Sequence, residues 1–504
     1  MQQARVSIDP AFVVAPVNRR LFGSFVEHMG RCVYTGIFEP GHPTADDNGF
    51  RGDVLDLVRE LGVTTVRYPG GNFVSGYKWE DGVGPVEDRP TRLDPAWRTI
   101  ETNAFGLNEF MEWAKKADIE PMMAMNLGTR GLQEAIDLLE YANHPQGTHL
   151  SDLRIEHGAK EPHDIRMWCL GNEMDGPWQL GHKTAEEYGR LAAETARAMR
   201  QFDKDLELVA CGSSSRVMPT FGAWEATVLE HTYDVVDYIS AHAYYQLHGD
   251  DHASFLASSV DMDRFIHQVV ATADHVGARL QSDKKINISF DEWNVWYLEE
   301  LQAGNGGLPE DWVEAPRTSE EAYTVVDAVV VGSLLITLLR HADRVTSASQ
   351  AQLVNTISSI RTEPNGPAWR QSIFHPFAQM AKHARGQVLD LRLDAPTLST
   401  ERYGDVPLLD SVATYDAEEG QVAVFVVNRD PSQPVQLSTS LRSFDGAELV
   451  DALQIADEDY TAANTQDAPD RVVPRAFEAA QVTDGVLTAE LAPASWTMFL
   501  IKVG

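Results

Sequence analysis

Two glutamates each follow a short apolar run and could act together on a glycosidic bond. Glu173 lies in the stretch CLGNEMDG and Glu292 in the stretch FDEWN. Hydrolysis of a glycoside by the retaining route needs two carboxyl groups roughly 5–5.5 Å apart, of which one attacks the anomeric carbon and the other protonates the leaving oxygen. If the fold places the two glutamates on opposite walls of one cavity, the sequence predicts this chemistry.

The charge on one member of such a pair determines the state of the other. An ionised nucleophile disfavours ionisation of its neighbour, which keeps the acid protonated near neutral pH. When the glycosyl ester forms, that charge disappears, and the neighbour loses its proton and becomes the base that activates water. The alternative is that Glu173 and Glu292 are solvated loop acids, which is the common state of a single glutamate.

Further polar residues stand at the ends of other predicted strands and favour a shared site over two solvated acids. An arginine beside a carboxylate keeps it ionised, a tyrosine can donate to it, and amides can orient sugar hydroxyls. Each type also has a structural alternative: an ion pair for the arginine, a turn position for the asparagine and a core position for the histidine. The candidates are Glu27, Arg67, Asn72, His242, Tyr244 and Gln352.

The elements that must position these residues alternate between short strands and amphipathic helices, which is typical of βαβ units and a parallel sheet. Eight strand-like segments, each followed by a helical one, predict an α/β fold with a closed (β/α)8 TIM barrel whose active site lies at the carboxyl ends of the strands. A doubly wound open sheet is the second choice, but the first strand lacks a glycine-rich phosphate turn. The strand-like segments are RLFGSFVEH, TTVRYPG, EPMMAMNLG, RMWCLGNE, LELVACGSS, DYISAHAYY, INISFDEWN and RVTSASQAQLVN.

The sequence pattern changes after about Gly386, where alternation of apolar and polar residues replaces helical periodicity, as in VAVFVVNRD and WTMFLIKV. Alternation with turn signals between the runs predicts an all-β sandwich of the jelly-roll type. The segment ARVSIDP near the first residue also alternates and is expected to pair with it. We therefore predict a catalytic barrel over residues 17–385 and a β-sandwich domain of residues 1–16 and 386–504.

The composition restricts partners and location. The chain of 504 residues carries a formal charge of −34, which disfavours nucleic acid and anionic membrane surfaces and is compatible with a neutral substrate. No basic and apolar export signal is visible, and the apolar run 328–339 is too short to span a bilayer, so a core helix is predicted there. The three scattered cysteines fit neither a disulfide framework nor a zinc site. A cytoplasmic location is predicted.

Metal-dependent hydrolases form another class of barrels with acids and histidines at the mouth. The first strand shows no His-x-His pattern, and the stretch EHMG gives one histidine beside one glutamate, which is short of a ligand set. We therefore expect no metal and no obligatory cofactor.

Five stretches, in this order, carry a resemblance to a known family: GSFVEHMGRCVYTGIFEP, VRYPGGNFVSGY, CLGNEMDGPWQLGHK, FDEWNVWY and AQLVN. Together with VEDRPTRLDPAWRTIETNAFGLNEFMEW and LAPASWTMFLIKV, they make the whole chain resemble the family 51 glycoside hydrolases, chiefly α-L-arabinofuranosidases. The resemblance implies a retaining, exo-acting enzyme that removes terminal α-L-arabinofuranosyl residues from arabinose-containing oligosaccharides or polysaccharide fragments. It also implies a homo-oligomer, such as a hexamer.

The resemblance further implies a role for each candidate residue. Glu173 matches the acid/base in the family's Asn-Glu motif, and Glu292 matches the nucleophile. The other implied contacts are those of Asn172 with the sugar 2-hydroxyl, of Glu27 and Asn72 with other hydroxyls, of Arg67 and Tyr244 with the nucleophile carboxylate, and of Trp296 as an apolar wall.

Nearby side chains leave alternatives. Gln350 and Gln352 have the same parity and would point to the same face of a strand, and the AQLVN match favours Gln352. Asp175 is interpreted as a loop acid. Asp291 is expected to point away from Glu292 along the strand and to tie the barrel to its helices.

Two other functions stay open at this point. Another retaining barrel glycosidase, such as an endoglucanase or a xylanase, would use the same two glutamates in an open groove. A carbohydrate-binding protein whose barrel has lost catalysis would keep the shape without the chemistry. Linkage preference depends on variable loops such as YQLHGDDH and QAGNGGLPEDW.

Overall fold

A barrel of eight parallel strands is the central element of the computed structural model, which describes residues 2–302 and 307–504. Each strand lies beside its neighbours in sequence, and the eighth pairs with the first through Ser349 opposite Gly23, which closes the barrel. The predicted barrel fold is therefore confirmed. Within the predicted loop QAGNGGLPEDW, residues 303–306 lie outside the described residues. The strands are Gly23–Phe25, Thr65–Tyr68, Glu120–Ala124, Met167–Leu170, Glu207–Ala210, Tyr238–Tyr245, Asn287–Val295 and Val345–Ala351.

Amphipathic helices lie between the barrel strands, where the sequence shows helical spacing. In the first of them, Val54, Val58 and Leu61 share the buried face. This helix ends at Leu61 and is capped by Gly62, whose φ of 78° lies in the left-handed region that glycine adopts without a side-chain clash. The helices are Gly52–Leu61, Leu107–Ala117, Leu132–Asn143, His149–Glu156, Ala185–Phe202, Ala223–Thr232, His252–Leu256, Ser259–Leu280, Leu298–Gln302, Val325–Arg340 and Phe374–His383.

The helix Val325–Arg340 is apolar on all sides because it is buried on all sides. It begins with a reciprocal cap: the carboxylate of Asp327 accepts from the amide of Thr324 at 2.7 Å, and the hydroxyl of Thr324 accepts from the amide of Asp327. The run 328–339 is thus a core helix, as predicted. Among the described residues, no helix is long and apolar enough to cross a membrane.

Two packed sheets form the β domain that follows the barrel. The first strand of the chain, Gln2–Ser7, pairs with Val435–Ser440 and Arg392–Asp394 of this domain. The division into residues 17–385 and residues 1–16 with 386–504 stays a prediction. One sheet has the order Arg392–Asp394, Gln2–Ser7, Val435–Ser440, Val486–Leu491 and Ala480–Thr483, and the other has the order Val13–Pro16, Gln387–Leu389, Leu409–Asp416, Gln421–Asn428, Ser495–Lys502, Glu448–Ile455 and Arg475–Ala476.

Alternation along the seven-stranded sheet gives it two apolar faces. One face packs into the core between the two sheets, and the other packs into the barrel core. On the barrel side, Gly332 leaves room for Trp496, because a Cβ at Gly332 would lie 2.2 Å from Cδ1 of that ring. In the strand Gln421–Asn428, the sandwich face carries Val422, Val424 and Val426, and the barrel face carries Ala423, Phe425 and Val427.

A buried cluster of charged and hydroxyl groups also joins the β domain to the barrel helices. The carboxylate of Asp410 accepts from Arg429 at 2.6 Å and pairs with Arg340 at the end of a barrel helix. The hydroxyls of Ser259 and Ser333 donate to the same carboxylate at 2.9 and 2.7 Å. Burial opposes the charge on Asp410, but the two arginines hold its pKa below the usual value.

Short elements build the loops around this framework. A hairpin of the β domain, Thr397–Thr400 with Gly404–Pro407, extends from the sandwich and contacts the barrel helix His252–Leu256. The remaining short elements are the strand pairs Arg92–Asp94 with Thr99–Glu101 and Ile360–Thr362 with Ala368–Arg370, and the 3-10 helices Arg19–Phe22, Phe73–Gly76, Trp79–Gly82 and Val86–Asp88.

Replacing Asp410 by Ala should lower the free energy of unfolding by about 3–5 kcal/mol, because it leaves buried arginine charge without its partner. Urea or thermal unfolding of the variant and the wild type measures the difference. Asp394→Ala, at an exposed position of the same domain, is the matched control and should change stability by less than about 0.5 kcal/mol. Equal stability of the two variants would contradict the assigned role of Asp410.

Candidate active site

The carboxyl ends of the barrel strands surround a cavity of about 400 Å³. Phe25, Met29 and Ile357 belong to a small hydrophobic cluster that forms part of its wall. Glu173 and Glu292 both reach this cavity, so the fold brings the two predicted glutamates together. Of the other predicted residues, those that line the cavity are Glu27, Asn72, Tyr244, Trp296 and Gln352, and those that lie buried behind its wall are Arg67, Asn172 and His242.

Glu173 projects from the turn that ends the fourth barrel strand. Gly171 has a φ of 94° and Glu173 a φ of 43°, so this turn uses two left-handed residues to redirect the chain. Trp178 donates from Nε1 to Oε2 of Glu173 at 2.8 Å, and Nδ1 of His242 lies 2.9 Å from Oε1. Both carboxyl oxygens of Glu173 therefore have fixed partners.

Glu292 lies in the seventh barrel strand and accepts a hydrogen bond on each oxygen. Arg67 donates to Oε1 and the hydroxyl of Tyr244 donates to Oε2, each at 2.8 Å. One oxygen of Glu292, one oxygen of Glu173 and one nitrogen of His242 all lie within 4.8 Å of one another. The two carboxyl groups are thus close enough to act on one bond.

His242 lies behind the two glutamates and links three acids. Its Nδ1 is 2.9 Å from Glu173 and 3.6 Å from Glu292, and its Nε2 is 2.9 Å from Asp291. Burial alone would lower the pKa of this imidazole, but Glu292, Asp291 and Glu173 together raise it well above its usual value. His242 is therefore charged near neutral pH and donates from both nitrogens.

Asp291 does not have the structural role that was expected from its position next to Glu292 in the strand. It contacts His242 and, at 3.8 Å, Arg67, and the thiol of Cys169 donates to it at 3.7 Å. The expectation that Asp291 ties the barrel to its helices was wrong. The pairing register of the seventh strand shifts on both sides near this position, and such an irregularity breaks the alternation that would send Asp291 and Glu292 to opposite faces.

The surroundings of Glu292 act on its pKa in two opposite directions. Burial raises the pKa of Glu292, His242 and Arg67 oppose that increase, and the neighbouring Glu173 adds to it. Two carboxyl groups at this separation favour a state with one proton between them. The guanidinium of Arg67 and the phenol of Tyr244 both donate to Glu292, and such donors favour its carboxylate form.

Arg67 and Asn172 support this arrangement from below the cavity wall. Arg67 is 1% exposed and donates to Oδ1 of Asn172 at 2.6 Å. Gly71 lies against Glu292 and Asn172, because a Cβ at this position would lie 3.0 Å from Oε1 of Glu292 and 3.2 Å from Nδ2 of Asn172. Nδ2 of Asn172 is buried and has no hydrogen-bond partner among the described residues. A free amide donor therefore stands close to Glu292.

Glu27 and Gln352 form another part of the wall. Glu27 accepts from the amide of Phe73 at 2.9 Å, from Nε1 of Trp97 at 2.8 Å and from Gln352 at 3.2 Å. Burial raises the pKa of Glu27 to about 8, and the charge of Glu292 contributes to the increase. Oε1 of Gln352 has no partner within the described part of the chain. The free Oε1 of Gln352 is suited to receive a hydroxyl hydrogen.

The side chains of Gln350 and Gln352 do not lie on the same face, although the alternation of a regular strand would place both there. The side-chain amide of Gln350 lies 3.3 Å from Asn294 and accepts from the hydroxyl of Ser359, away from the cavity. The strand ends at Ala351, so the alternation of the strand does not extend to Gln352. Of the two glutamines, Gln352 lines the cavity.

Two tryptophans, Trp97 and Trp178, contact the glutamates of the site but were not predicted. Trp178 follows Glu173 by five residues in the same loop, and this proximity is the signal that could have identified it. Trp97 lies in the turn between the short strands Arg92–Asp94 and Thr99–Glu101, where no periodicity marks it. Asp175 is a loop acid whose carboxylate accepts from the amide of Ser214 at 3.0 Å, and burial raises its pKa to about 6.

Within residues 2–302 and 307–504, two groups of side chains offer ligand atoms close enough to hold a cation. One is Glu173, His242 and Glu292, where the charges of His242 and Arg67 oppose a further cation. The other is Asp263 and His267, on the helix Ser259–Leu280, with His341, which directly follows the helix Val325–Arg340. That catalysis needs no metal or cofactor stays a prediction.

A closed barrel with a glutamate pair and a tryptophan-lined cavity at its mouth defines a glycoside hydrolase. Two family profiles indicate which kind of glycoside hydrolase this chain is similar to. The profile described as "Alpha-L-arabinofuranosidase 1 domain" matches residues 57–257. The profile described as "Alpha-L-arabinofuranosidase C-terminal domain" matches residues 291–495.

Similar proteins agree with these profiles. The chain is 64% identical over 498 residues to an intracellular exo-α-(1→5)-L-arabinofuranosidase of Streptomyces lividans, with 98% of this chain and 75% of that protein covered. It is 54% identical over 511 residues to an exo-α-(1→6)-L-arabinofuranosidase of Bifidobacterium longum, with coverage of 100% and 98%. A solved family 51 α-L-arabinofuranosidase from Bifidobacterium longum matches with a TM-score of 0.95 and 49% identity over 99% of each chain. The chain belongs to glycoside hydrolase family 51, the α-L-arabinofuranosidases, and the resemblance read from its motifs is confirmed.

Replacing Gly71 by Ala should lower kcat on an aryl α-L-arabinofuranoside about ten-fold, because the added methyl group displaces Glu292 or Asn172 by a few tenths of an ångström. Steady-state kinetics measure the loss, and thermal unfolding should show little change. Gly41→Ala is the control, since a Cβ at Gly41 meets no atom within 4 Å. Unchanged kcat in Gly71→Ala would show that the close approach at this position is not required.

Proposed function

We propose that this enzyme removes terminal, non-reducing α-L-arabinofuranosyl residues from arabinose-containing oligosaccharides and polysaccharide fragments with retention of configuration. The observation that carries the proposal is the approach of the acids, since one oxygen of Glu173 and one of Glu292 lie within 4.8 Å. Retaining glycosidases hold their carboxyl groups roughly 5–5.5 Å apart, whereas inverting enzymes leave roughly 6.5–9.5 Å for a water molecule.

In the first step of this proposal, Glu292 is the nucleophile and Glu173 the acid. Hydrogen bonds from Arg67 and Tyr244 keep Glu292 ionised and hold its carboxylate in a fixed orientation. As Glu292 attacks the anomeric carbon, the proton of Glu173 passes to the leaving oxygen, the glycosidic bond breaks and a glycosyl ester forms. The free amide of Asn172 donates to the sugar 2-hydroxyl beside the reacting carbon.

In the second step, Glu173 acts as the base. The ester carries no charge, so the repulsion that kept Glu173 protonated has disappeared. Its carboxylate form is stabilised by charged His242 at 2.9 Å and by the indole of Trp178 at 2.8 Å. Glu173 takes a proton from water, the water oxygen attacks the anomeric carbon, and Glu292 leaves as a carboxylate.

The shape of the cavity favours exo action. A cavity of about 400 Å³ with a few convergent polar groups suits one small ligand. Glu27, Asn72 and Gln352 offer groups for hydroxyls, and the rings of Trp296 and Tyr244, with centroids 4.9 Å apart, form an apolar edge. This favours a terminal sugar unit over the open groove that an endoglucanase or a xylanase would need.

The setting of the enzyme follows from its charge and its relatives. Similar proteins are named intracellular, and we propose a cytoplasmic location for this chain as well. The formal charge of −34 disfavours nucleic acid and anionic membranes as partners. From the family resemblance we also propose a homo-oligomer, such as a hexamer.

Proton NMR of a freshly started reaction on an aryl α-L-arabinofuranoside tests the substrate class and the mechanism together. The first sugar signal should be that of the α-anomer, followed by slow mutarotation. Appearance of the β-anomer first would exclude the retaining mechanism. Release of nitrophenol from a β-glucoside or β-xyloside in preference to the α-L-arabinofuranoside would instead favour another barrel glycosidase.

Replacing Glu173 by Ala should lower kcat/KM by 10²–10⁴-fold on oligosaccharides and much less on nitrophenyl substrates, whose leaving groups need little protonation. The alkaline limb of the pH profile should also disappear.

Glu292→Ala should abolish turnover on every substrate while circular dichroism shows a retained fold. Glu418→Ala, at an exposed turn, serves as the control. Wild-type turnover no higher than that of Glu173→Ala would indicate a binding protein without catalysis.

A further inference from the structure

A second cavity, of about 310 Å³, adjoins the catalytic cavity. The two cavities share the side chains of Ser215, Tyr244, Trp296 and Leu298, so these residues form a common boundary. The proposed chemistry of Glu173 and Glu292 uses only one side of this boundary. The space on the other side has no assigned role.

The far wall of this second cavity comes from the β domain. Arg402 and Tyr403, in the turn of the hairpin Thr397–Thr400 with Gly404–Pro407, line it. The amide of Arg402 donates to the hydroxyl of Ser254 at 3.1 Å, and Arg264 donates to the carbonyl of Tyr403 at 3.3 Å. The turn is thus fixed against two barrel helices. We call this space the hairpin cavity.

The lining of the hairpin cavity matches a neutral, hydroxyl-rich ligand. Arg216 donates from Nε to Asp261 at 2.8 Å, and the hydroxyl of Tyr245 lies 3.4 Å from the same carboxylate. Paired charges of this kind offer donors and acceptors side by side without a large net charge. The ring of Tyr403 is half-buried and the guanidinium of Arg402 is exposed, so both can contact a bound molecule.

One loop connects the proton donor to the hairpin cavity. After the fifth barrel strand, Ser214 lines the catalytic cavity and its amide donates to Asp175, two residues beyond Glu173. Ser215 lines both cavities, and Arg216 lines the hairpin cavity alone. A sugar chain that receives its proton from Glu173 therefore has a continuous polar surface along this loop.

We propose that the hairpin cavity binds a neutral sugar unit of the leaving group, so that the β domain contributes directly to the recognition of oligosaccharide substrates. This inference rests on the proposed arabinofuranosidase function and assigns the substrate region beyond the cleaved sugar. An aryl arabinofuranoside, which has no second sugar, does not use it.

Kinetics on two substrates test the inference. The ratio of kcat/KM for an arabinotriose to kcat/KM for nitrophenyl α-L-arabinofuranoside should fall about five-fold in Arg402→Ala and in Tyr403→Ala, mainly through KM for the trisaccharide. The contact of residue 402 with Ser254 is made by its backbone amide, so Arg402→Ala retains it. This variant therefore still tests the inference if Tyr403→Ala disturbs the hairpin. Arg392→Ala, an exposed arginine of the same domain outside both cavities, is the matched control and should leave the ratio unchanged.

The outcomes separate this inference from the function on which it rests. Wild-type activity on the nitrophenyl substrate together with an unchanged ratio in Arg402→Ala would overturn the role of the hairpin cavity and leave the proposed function intact. No release of arabinose from either substrate by the wild type would overturn both. A proportional loss on both substrates in Arg402→Ala would also overturn the inference, because it would show an effect on catalysis rather than on the leaving group.

Discussion

The buried guanidinium of Arg67 is the contact on which the mouth of the barrel depends. Arg67 extends from the second strand and is held by Glu292 of the seventh strand and by Asn172 after the fourth. A charge with 1% exposure is tolerated only while its partners stay in place. The contacts that neutralise Arg67 therefore also set the positions of the acid-bearing segments. Catalytic geometry and local stability have the same origin here.

The proton that the proposed mechanism needs is consistent with the balance of charges around Arg67. Three acids, Glu173, Asp291 and Glu292, meet two cations, Arg67 and charged His242. The cluster is thus one positive charge short, and burial favours a neutral cluster over a charged one. In the proposed mechanism, a proton on Glu173 supplies the missing charge before the reaction. Loss of the charge on Glu292 in the proposed ester would remove the need for that proton.

The barrel could be predicted from the sequence alone because its strands and helices leave periodic patterns of apolar residues. Strand alternation, helical spacing and the position of acids at strand ends are local features, and they located Glu173 and Glu292 correctly in one cavity. Features that depend on irregular backbone were missed or misread. Parity failed for Asp291 because the strand shifts register there, and Trp97 lies in a segment without a period. The position of the hairpin that lines the second cavity depends on contacts between distant parts of the chain, which no local pattern records.

The close packing of Gly332 against Trp496 has a consequence for how this protein could have been assembled during evolution. The helix Val325–Arg340 lies between the barrel strands and the seven-stranded sheet, and its apolar residues belong to the one core that the barrel and this sheet share. A recombination event that exchanged the β domain for an unrelated one would expose that apolar surface or collide with it. Barrel and sandwich are therefore expected to have been inherited as one unit, despite their different architectures.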